Sequence, residues 1–308
     1  MIPERLSAYT NRIPLLAEVT EWALLRKWAL SEVYRITLRT GETRILKWGG
    51  KEMAQEAANY RRLVKPLHIS APRIFEYYES ERSAVMIMED AGQYNLEQLP
   101  SSALFLEAAR TLARIRNTAA MHIKQNIPSS LIHQYTETAA DFLALAKDLL
   151  HSPRLAGHPA LGKLQDILPQ QLERLYRTQP LTLVHHDYHA KNLLIQGTQI
   201  MPIDWSLSYL SPHLGDLHCL IDEAREYSHV PREEMLSAFH SAMEQNCSMD
   251  QLKWQVNVGG VCWLVKTLKW LVYGGTDTIP GSDAWIPDLM DELELLVNRI
   301  EQPPGRLV

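Results

Sequence analysis

Cysteine is scarce in this chain: Cys219, Cys247 and Cys262 are the only three, and no Cys-x-x-Cys spacing occurs. An odd, scattered set builds neither a disulfide framework nor a zinc cage and suits a reducing compartment, so a cytoplasmic protein is expected. Long apolar runs are missing as well. The most apolar stretch, 256–273, is interrupted by Asn257, Lys266 and Lys269, short of the roughly 18 uncharged residues of a membrane span. It reads as a buried helix, and no membrane partner is expected. The N-terminus carries Glu4, Arg5, Asn11 and Arg12 where a secretory leader needs an unbroken apolar segment. There is no basic excess either: 31 Lys and Arg stand against 36 Asp and Glu. The charge therefore gives no footprint for a nucleic acid.

What is present is the composition of a folded protein, 46% hydrophobic and 22% charged with 8 Trp. At 308 residues the chain exceeds the size at which one core usually stops growing, so two lobes are expected. After a helical start, 33–38 and 43–48 are β-rich runs joined by Arg39-Thr40-Gly41-Glu42, a connection suited to a hairpin. From Glu52 to Val64, apolar residues recur at helical spacing. A second strand pair is predicted over 73–78 and 84–88, and Glu89-Asp90-Ala91-Gly92 breaks the pattern as a connector between lobes would. Downstream, helices are predicted over 103–120, 136–151, 161–177, 232–246, 252–273 and 288–300. Only 181–205 interrupts them, reading as a strand, a polar loop and two β-runs around Gln196-Gly197. The last eight residues read as a frayed tail.

That interruption carries the chemistry. Phosphoryl transfer needs a carboxylate to orient an acceptor hydroxyl, metal ions across the phosphates, and cations against developing charge. His185–Asn192 fits the pattern H-x-D-x-x-x-x-N, in which the Asp accepts the substrate proton and the Asn holds magnesium. Asp187 and Asn192 fill those positions. Three fixed residues alone make a weak signal. Here a strand precedes the loop, a hairpin follows it, and Asp204 at the hairpin's end returns a second carboxylate toward Asn192. Taken alone, Asp204-Trp205 reads as a strand-end turn and Lys47 as a surface lysine on a strand. Together with the loop they read differently. Lys47 can reach nucleotide phosphates as a point charge on a flexible stem. Glu56 shares a helical stripe with Met53 and Tyr60 and is the expected partner of Lys47, with Glu52 as the fallback.

These residues, together with Ser31–Arg35, Ile45–Lys47, Glu56–Leu63, Met86–Asp90, Ile203–Trp205 and Gly215–Leu217 in that order, resemble the aminoglycoside phosphotransferase and choline kinase superfamily. The resemblance spans most of the chain. It implies an α+β protein-kinase-like fold in two lobes: a small N-terminal antiparallel-sheet lobe with one helix, residues 1–90, which binds nucleotide, and a larger, mostly helical catalytic and substrate-binding lobe, residues 91–308. It implies a kinase that uses ATP, with GTP also compatible, and Mg2+ to phosphorylate a small hydroxyl-bearing substrate, aminoglycoside-, choline- or sugar-like. In that frame Asp187 is the catalytic base, Asn192 and Asp204 hold the metal, and Lys47, positioned by Glu56, steadies the phosphates. Ser31 covers the phosphates in place of a glycine loop, Glu89 and Ala91 offer backbone groups to adenine, and His185 and Asp216 brace the loop. The chain departs from the family at His186, where Gly is common, and at Ala190-Lys191 in place of Pro-Gly, and from the protein-kinase D-F-G motif at Ser206 in place of its Gly. The rival reading is a nucleotide-binding or structural protein of the same fold without turnover, as among spore-coat relatives; the filled catalytic positions disfavour it.

Three further clusters have competing readings. His185, His186 and His189 with Asp187 could ligate zinc, but neighbouring residues on an extended segment point to opposite faces. Trp254, Trp263, Trp270 and Trp285 could cage a quaternary ammonium, although their helical spacing favours core packing. Asp222, Glu223 and Glu226 could receive a cationic substrate or form a solvated helix face.

Overall fold

The computed structural model describes residues 2–28, 31–51 and 55–301. The expected helix start at Glu52 and Met53, the fallback role of Glu52, and the tail from 302 onward lie outside the described residues.

A short helix α1 (Glu4–Ser7) and a 3-10 turn at Pro14–Glu18 lead into five strands: β1 (Val19–Lys27), β2 (Ser31–Leu38), β3 (Thr43–Gly50), β4 (Ile74–Glu79) and β5 (Ser83–Glu89). They form one sheet in the order β1-β2-β3-β5-β4, every pairing antiparallel. β1 corrects the expected helical start. It is an edge strand without one fully buried side chain, so its sequence, Val-Thr-Glu-Trp-Ala-Leu-Leu-Arg-Lys, carries no alternation and is rich in helix formers. Along β3 the alternation is functional. Leu46 enters a core with Ile36, Val85 and Ile87, while Lys47, paired across the ladder with Val33 and Met86, faces the opposite side. The predicted helix before Pro66 is α2 (Glu56–Asn59), prolonged by a π-turn at Tyr60–Val64.

The second lobe is built from α3 (Ser102–Asn126), α4 (Ser129–Tyr135), α5 (Ala139–Leu150) and α6 (Pro159–Thr178), then β6 (Thr182–Val184), β7 (Leu193–Gln196), β8 (Gln199–Pro202) and β9 (Tyr209–Ser211). It closes with α7 (Gly215–Ser228), α8 (Arg232–Ser241), α9 (Met249–Trp270), α10 (Thr276–Thr278) and α11 (Ile286–Glu301). The helix predicted to begin at 136 starts at Ala139, because Thr138 and Asp141 form a reciprocal capping box. α7 is absent from the predicted helices, although its acidic residues are weighed above as a helix face. Every residue from Gly215 to Ile221 is buried, so the segment lacks the apolar stripe by which a surface helix is read.

One continuous core joins Tyr60, Leu63 and Met88 of the first lobe to Leu96, Phe105, Tyr188 and Trp205 of the second. A separate core fills the space among α5, α6, α9 and α11. Between them α9 presses backbone to backbone on the start of α7: a Cβ at Gly259 would lie 2.5 Å from the carbonyl carbon of Leu214 and 2.7 Å from the nitrogen of Gly215. Only glycine allows that approach. Gly259→Ala is expected to lower the unfolding free energy by about 1–3 kcal/mol through overpacking. Gly162→Ala, in the exposed first turns of α6 with no atom near its Cβ position, should instead raise it by about 0.5–1 kcal/mol. Denaturant midpoints of the two variants measure both.

Candidate functional site

Between the sheet lobe and the helical lobe lies a cleft of ≈ 530 Å³. Seven residues singled out in the sequence line it: Ser31, Lys47, Glu56, Glu89, Ala91, Asn192 and Asp204. The connector that forms its back wall is fixed from both sides. Arg35 of β2 grips Asp90 through two nitrogens, at 2.6 and 3.1 Å, and reaches the Gly92 carbonyl. From the other lobe, Gln196 donates to the Ala91 carbonyl at 2.9 Å, and the backbone of Tyr94 and Leu96 pairs with β7. The Ala91 N–H has no protein partner among the described residues and can serve a ligand. The Glu89 N–H is taken by the Arg73 carbonyl at 2.8 Å, which leaves only the Glu89 carbonyl side for such a role.

At the centre of the cleft, the Lys47 ammonium lies 2.5 Å from Glu56 Oε2 and 2.8 Å from Asp204 Oδ1. All three are largely buried, with side-chain exposures of 9%, 4% and 14%, a setting in which removing one partner of an ion pair costs about 3–5 kcal/mol, against about 0–1 at a surface. Burial works against the charge of Lys47, but Asp204 and Glu56 outweigh it and raise its pKa, so it stays an ammonium. Burial, aided by the charge of Asp204, lifts Glu56 up to about 7 despite Lys47. For Asp204 the balance reverses: Lys47 and Ser206 outweigh burial and hold it below the usual carboxylate range. Two carboxylates thus share one cation, and where both are ionised the cluster carries a net negative charge that a divalent ion would offset. Asp204 has a left-handed backbone, φ 66°, which Asp tolerates better than most residues. Asn59 of α2 holds it there, donating to the carbonyls of Trp205 and Ser206, each at 2.9 Å.

The loop 185–192 is braced on every side. Asp216, at the first turn of α7, accepts the backbone N–H groups of His185 and His186 at 2.7 and 2.8 Å. His185 is buried, reaches the Ile203 carbonyl at 3.0 Å, and packs against the Trp205 ring at 4.5 Å. His186 sits at φ 67°, the left-handed region in which glycine is unstrained. Its conformation is held by Asp216 on its nitrogen and by Trp263 Nε1, 3.1 Å from its carbonyl. Burial, reinforced by Lys266, pushes its imidazole down to about 3, so the ring is neutral.

Asp187 projects from this frame at the edge of the cleft. Asn192 donates to its carboxylate at 2.7 Å and to its carbonyl at 3.0 Å, which leaves the Asn192 amide oxygen turned away and open. Lys191 lies 3.2 Å, and His189 3.6 Å, from the other carboxylate oxygen. Burial alone would raise the Asp187 pKa. Lys191, His189 and His185 outweigh it and hold the carboxyl well below the usual range.

The histidines diverge rather than converge: His189 pairs with Glu223 at 2.9 Å, while His185 and His186 serve the loop. Among the described residues a metal-compatible cluster does occur, His218, Asp222 and Glu292, outside the cleft lining. The tryptophans form no cage. Trp254 packs in the helical core with its Nε1 on Gln171, and Trp263 carries the loop. Glu223, weighed above as a substrate contact, instead accepts from the Ala190 N–H at 2.6 Å and from His189. Sequence reasoning missed the roles of Asn59, Glu223 and Trp263; only their spacing relative to the loop could have drawn attention to them.

The family model of the phosphotransferase enzyme family matches residues 23–246. No curated protein sequence matches this chain. Among solved structures, aminoglycoside phosphotransferase APH(2'')-Ib bound to ADP is similar, with a TM-score of 0.63 at 15% identity over 97% of this chain and 99% of that one. A thermostable mutant of aminoglycoside phosphotransferase APH(4)-Ia with AMP-PNP and hygromycin B gives 0.62 at 18% identity, covering 91% and 94%. Amicoumacin kinase hAmiN with AMP-PNP, Ca2+ and Ami gives 0.64 at 14% identity, covering 99% and 96%. These likenesses establish the kinase-like fold, and with more than half its length matched by the family model, the chain belongs to the phosphotransferase enzyme family.

Proposed function

We propose that this protein transfers the γ-phosphoryl group of ATP, with Mg2+, to a hydroxyl of a small molecule. The observation that carries the reading is the convergence on one cleft of Lys47, Asp204 and Asn192, with Asp187 hydrogen-bonded to Asn192 at its edge. In this reading the purine lies between Val33, Ile45 and Met88 above and Leu194 and Ile203 below, all of which line the cleft. The free Ala91 N–H and the Glu89 carbonyl meet its edge. Ser31, buried at the start of β2, faces the phosphates.

The donor set suits a hard cation. Asp204 and the open amide oxygen of Asn192 supply oxygen ligands, as Mg2+ requires alongside substrate phosphates and water. Asp204 and Asn192 are the residues that would hold the ion, which would supply positive charge against the phosphates. Lys47 then turns from Asp204 to the phosphates while Glu56 keeps it in place. Asp187 takes the proton of the acceptor hydroxyl as the new O–P bond forms and the bond to the departing diphosphate breaks; its low pKa leaves it ionised and ready to accept. Binding in the amino-sugar, amino-alcohol and sugar class is supported by the ligands of the similar structures, hygromycin B in one and gentamicin in another.

Incubation with ATP, Mg2+ and a panel of amino sugars, amino alcohols and sugars is expected to yield ADP and one phosphorylated product by mass spectrometry; bound nucleotide with no product from any acceptor would instead favour the silent rival. Asp187→Asn should lower kcat by roughly 10²–10⁴ and leave nucleotide affinity near wild type in calorimetry, whereas Asp204→Ala should abolish the Mg2+-dependent part of that affinity. The pH dependence has a definite sign. A base whose folded pKa is depressed stays ionised as pH falls toward about 5 and adds stability that is lost only as pH drops through that folded value. The kcat/KM profile should therefore show no acid limb from Asp187 between about pH 8 and 5. Glu56, lifted up to about 7, can give a limb near that pH; an acid limb above about pH 6 that persists in both Glu56→Gln and His189→Gln would contradict the assignment.

A further inference from the structure

We infer that Lys191 is a second phosphate-binding cation, which holds the γ-phosphoryl group beside Asp187 and releases the Asp187 carboxylate to the acceptor as it does so. The inference rests on the phosphotransferase reading of the cleft and assigns one more residue to it.

Lys191 occupies the middle of the 3-10 turn Ala190–Asn192, directly before Asn192. Its stem folds back so that Nζ lies 3.2 Å from Asp187 Oδ1, and it lines the same cleft as Lys47, Asn192 and Asp204. On its open side it faces the ring of Trp28, 5.9 Å from the centroid, directly after β1. The Trp28 N–H donates to the carbonyl of Ser31, another residue of the cleft lining, at 2.8 Å. The ammonium therefore sits between the Asp187 carboxylate and the Trp28 ring.

A purely structural account of Lys191 is weak. Its side chain is 32% exposed and that of Asp187 is 22% exposed, and pairs of this kind contribute little to stability. The loop is already held by Asp216, Glu223 and Trp263. The reaction, by contrast, calls for positive charge at this point, because the transferring group spreads its charge over three equatorial oxygens. The other cations lining the cleft are otherwise engaged. Arg35 is locked on Asp90, Arg26 stacks on Trp28 at 4.1 Å, and Lys47 is held on the far side by Glu56. Among the described residues of the lining, Lys191 is the cation in contact with Asp187, and so the one placed to meet the γ-phosphoryl from the acceptor side.

The exchange balances without any change of protonation at the lysine. Lys191 leaves Asp187 Oδ1 and donates N–H bonds to nonbridging γ-oxygens. The freed carboxylate oxygen then accepts the proton of the acceptor hydroxyl, the O–P bond forms, and the electron pair of the broken bond leaves with the diphosphate.

The test compares wild type, Lys191→Met and Lys191→Arg by calorimetry with Mg2+·AMP-PNP and Mg2+·ADP, and by steady-state kinetics with the acceptor found in the panel. Lys191→Met is expected to weaken AMP-PNP about 10-fold more than ADP and to lower kcat on the order of 10²-fold, with the acceptor KM unchanged. Lys191→Arg, which keeps the charge, should recover part of both, and equal denaturation midpoints for the three proteins exclude a folding effect. Equal losses for the two nucleotides, or an unchanged kcat, would overturn the role of Lys191 and leave the phosphotransferase reading intact. A wild type that binds neither nucleotide would overturn the reading of the cleft itself.

Discussion

The whole arrangement depends on one buried cation shared by two lobes. Lys47 comes from a strand of the sheet, Glu56 from the helix that follows it, and Asp204 from the hairpin of the helical lobe. A lysine out of water is tolerable only where carboxylates replace its hydration. That requirement draws three segments far apart in sequence to one point. Asn59, one turn beyond Glu56, adds two hydrogen bonds from the same helix to the backbone after Asp204, so the position of α2 and the position of the hairpin are set together. The apolar core that runs from Met88 and Tyr60 to Trp205 and Tyr188 supplies the cohesion. The ion pair supplies the register.

Around that point the loop 185–192 is held almost entirely by groups outside the cleft lining. Two N–H groups go to Asp216, one to Glu223, one carbonyl to Trp263, and the His185 ring fills the space beside Trp205. The left-handed turn at His186 costs on the order of 1–3 kcal/mol for a residue other than glycine. It persists because these contacts fix the backbone on both sides of it. A position at which the resemblance leads one to expect glycine is thus held by over-determination.

Much of this was legible in the residues, and the limits of legibility are physical. The hairpin of β2 and β3, α2, and the long amphipathic helices follow from periodicity, and the loop and Asp204 follow from spacing on a strand-loop-hairpin frame. β1 escaped because an edge strand with little burial leaves no alternation to read. α7 escaped because its first half, Gly215 to Ile221, is buried without interruption and shows no stripe, while the polar second half reads as a separate segment. Glu223 was visible as a carboxylate beside the site, but sequence separation says nothing about whether a carboxylate faces a ligand or turns inward to a backbone N–H. Its contact with Ala190 is a tertiary fact.

That contact constrains how such a scaffold can diversify. A carboxylate that anchors the reactive loop cannot be traded away to welcome a new guest molecule without loosening the machinery it supports. Along α7, Asp216 and Glu223 are committed in this way, and Asp222 is drawn toward His218 and Arg225. Lineages adapting to new acceptors would therefore be pushed to change other walls of the pocket first, and this helix would drift most slowly.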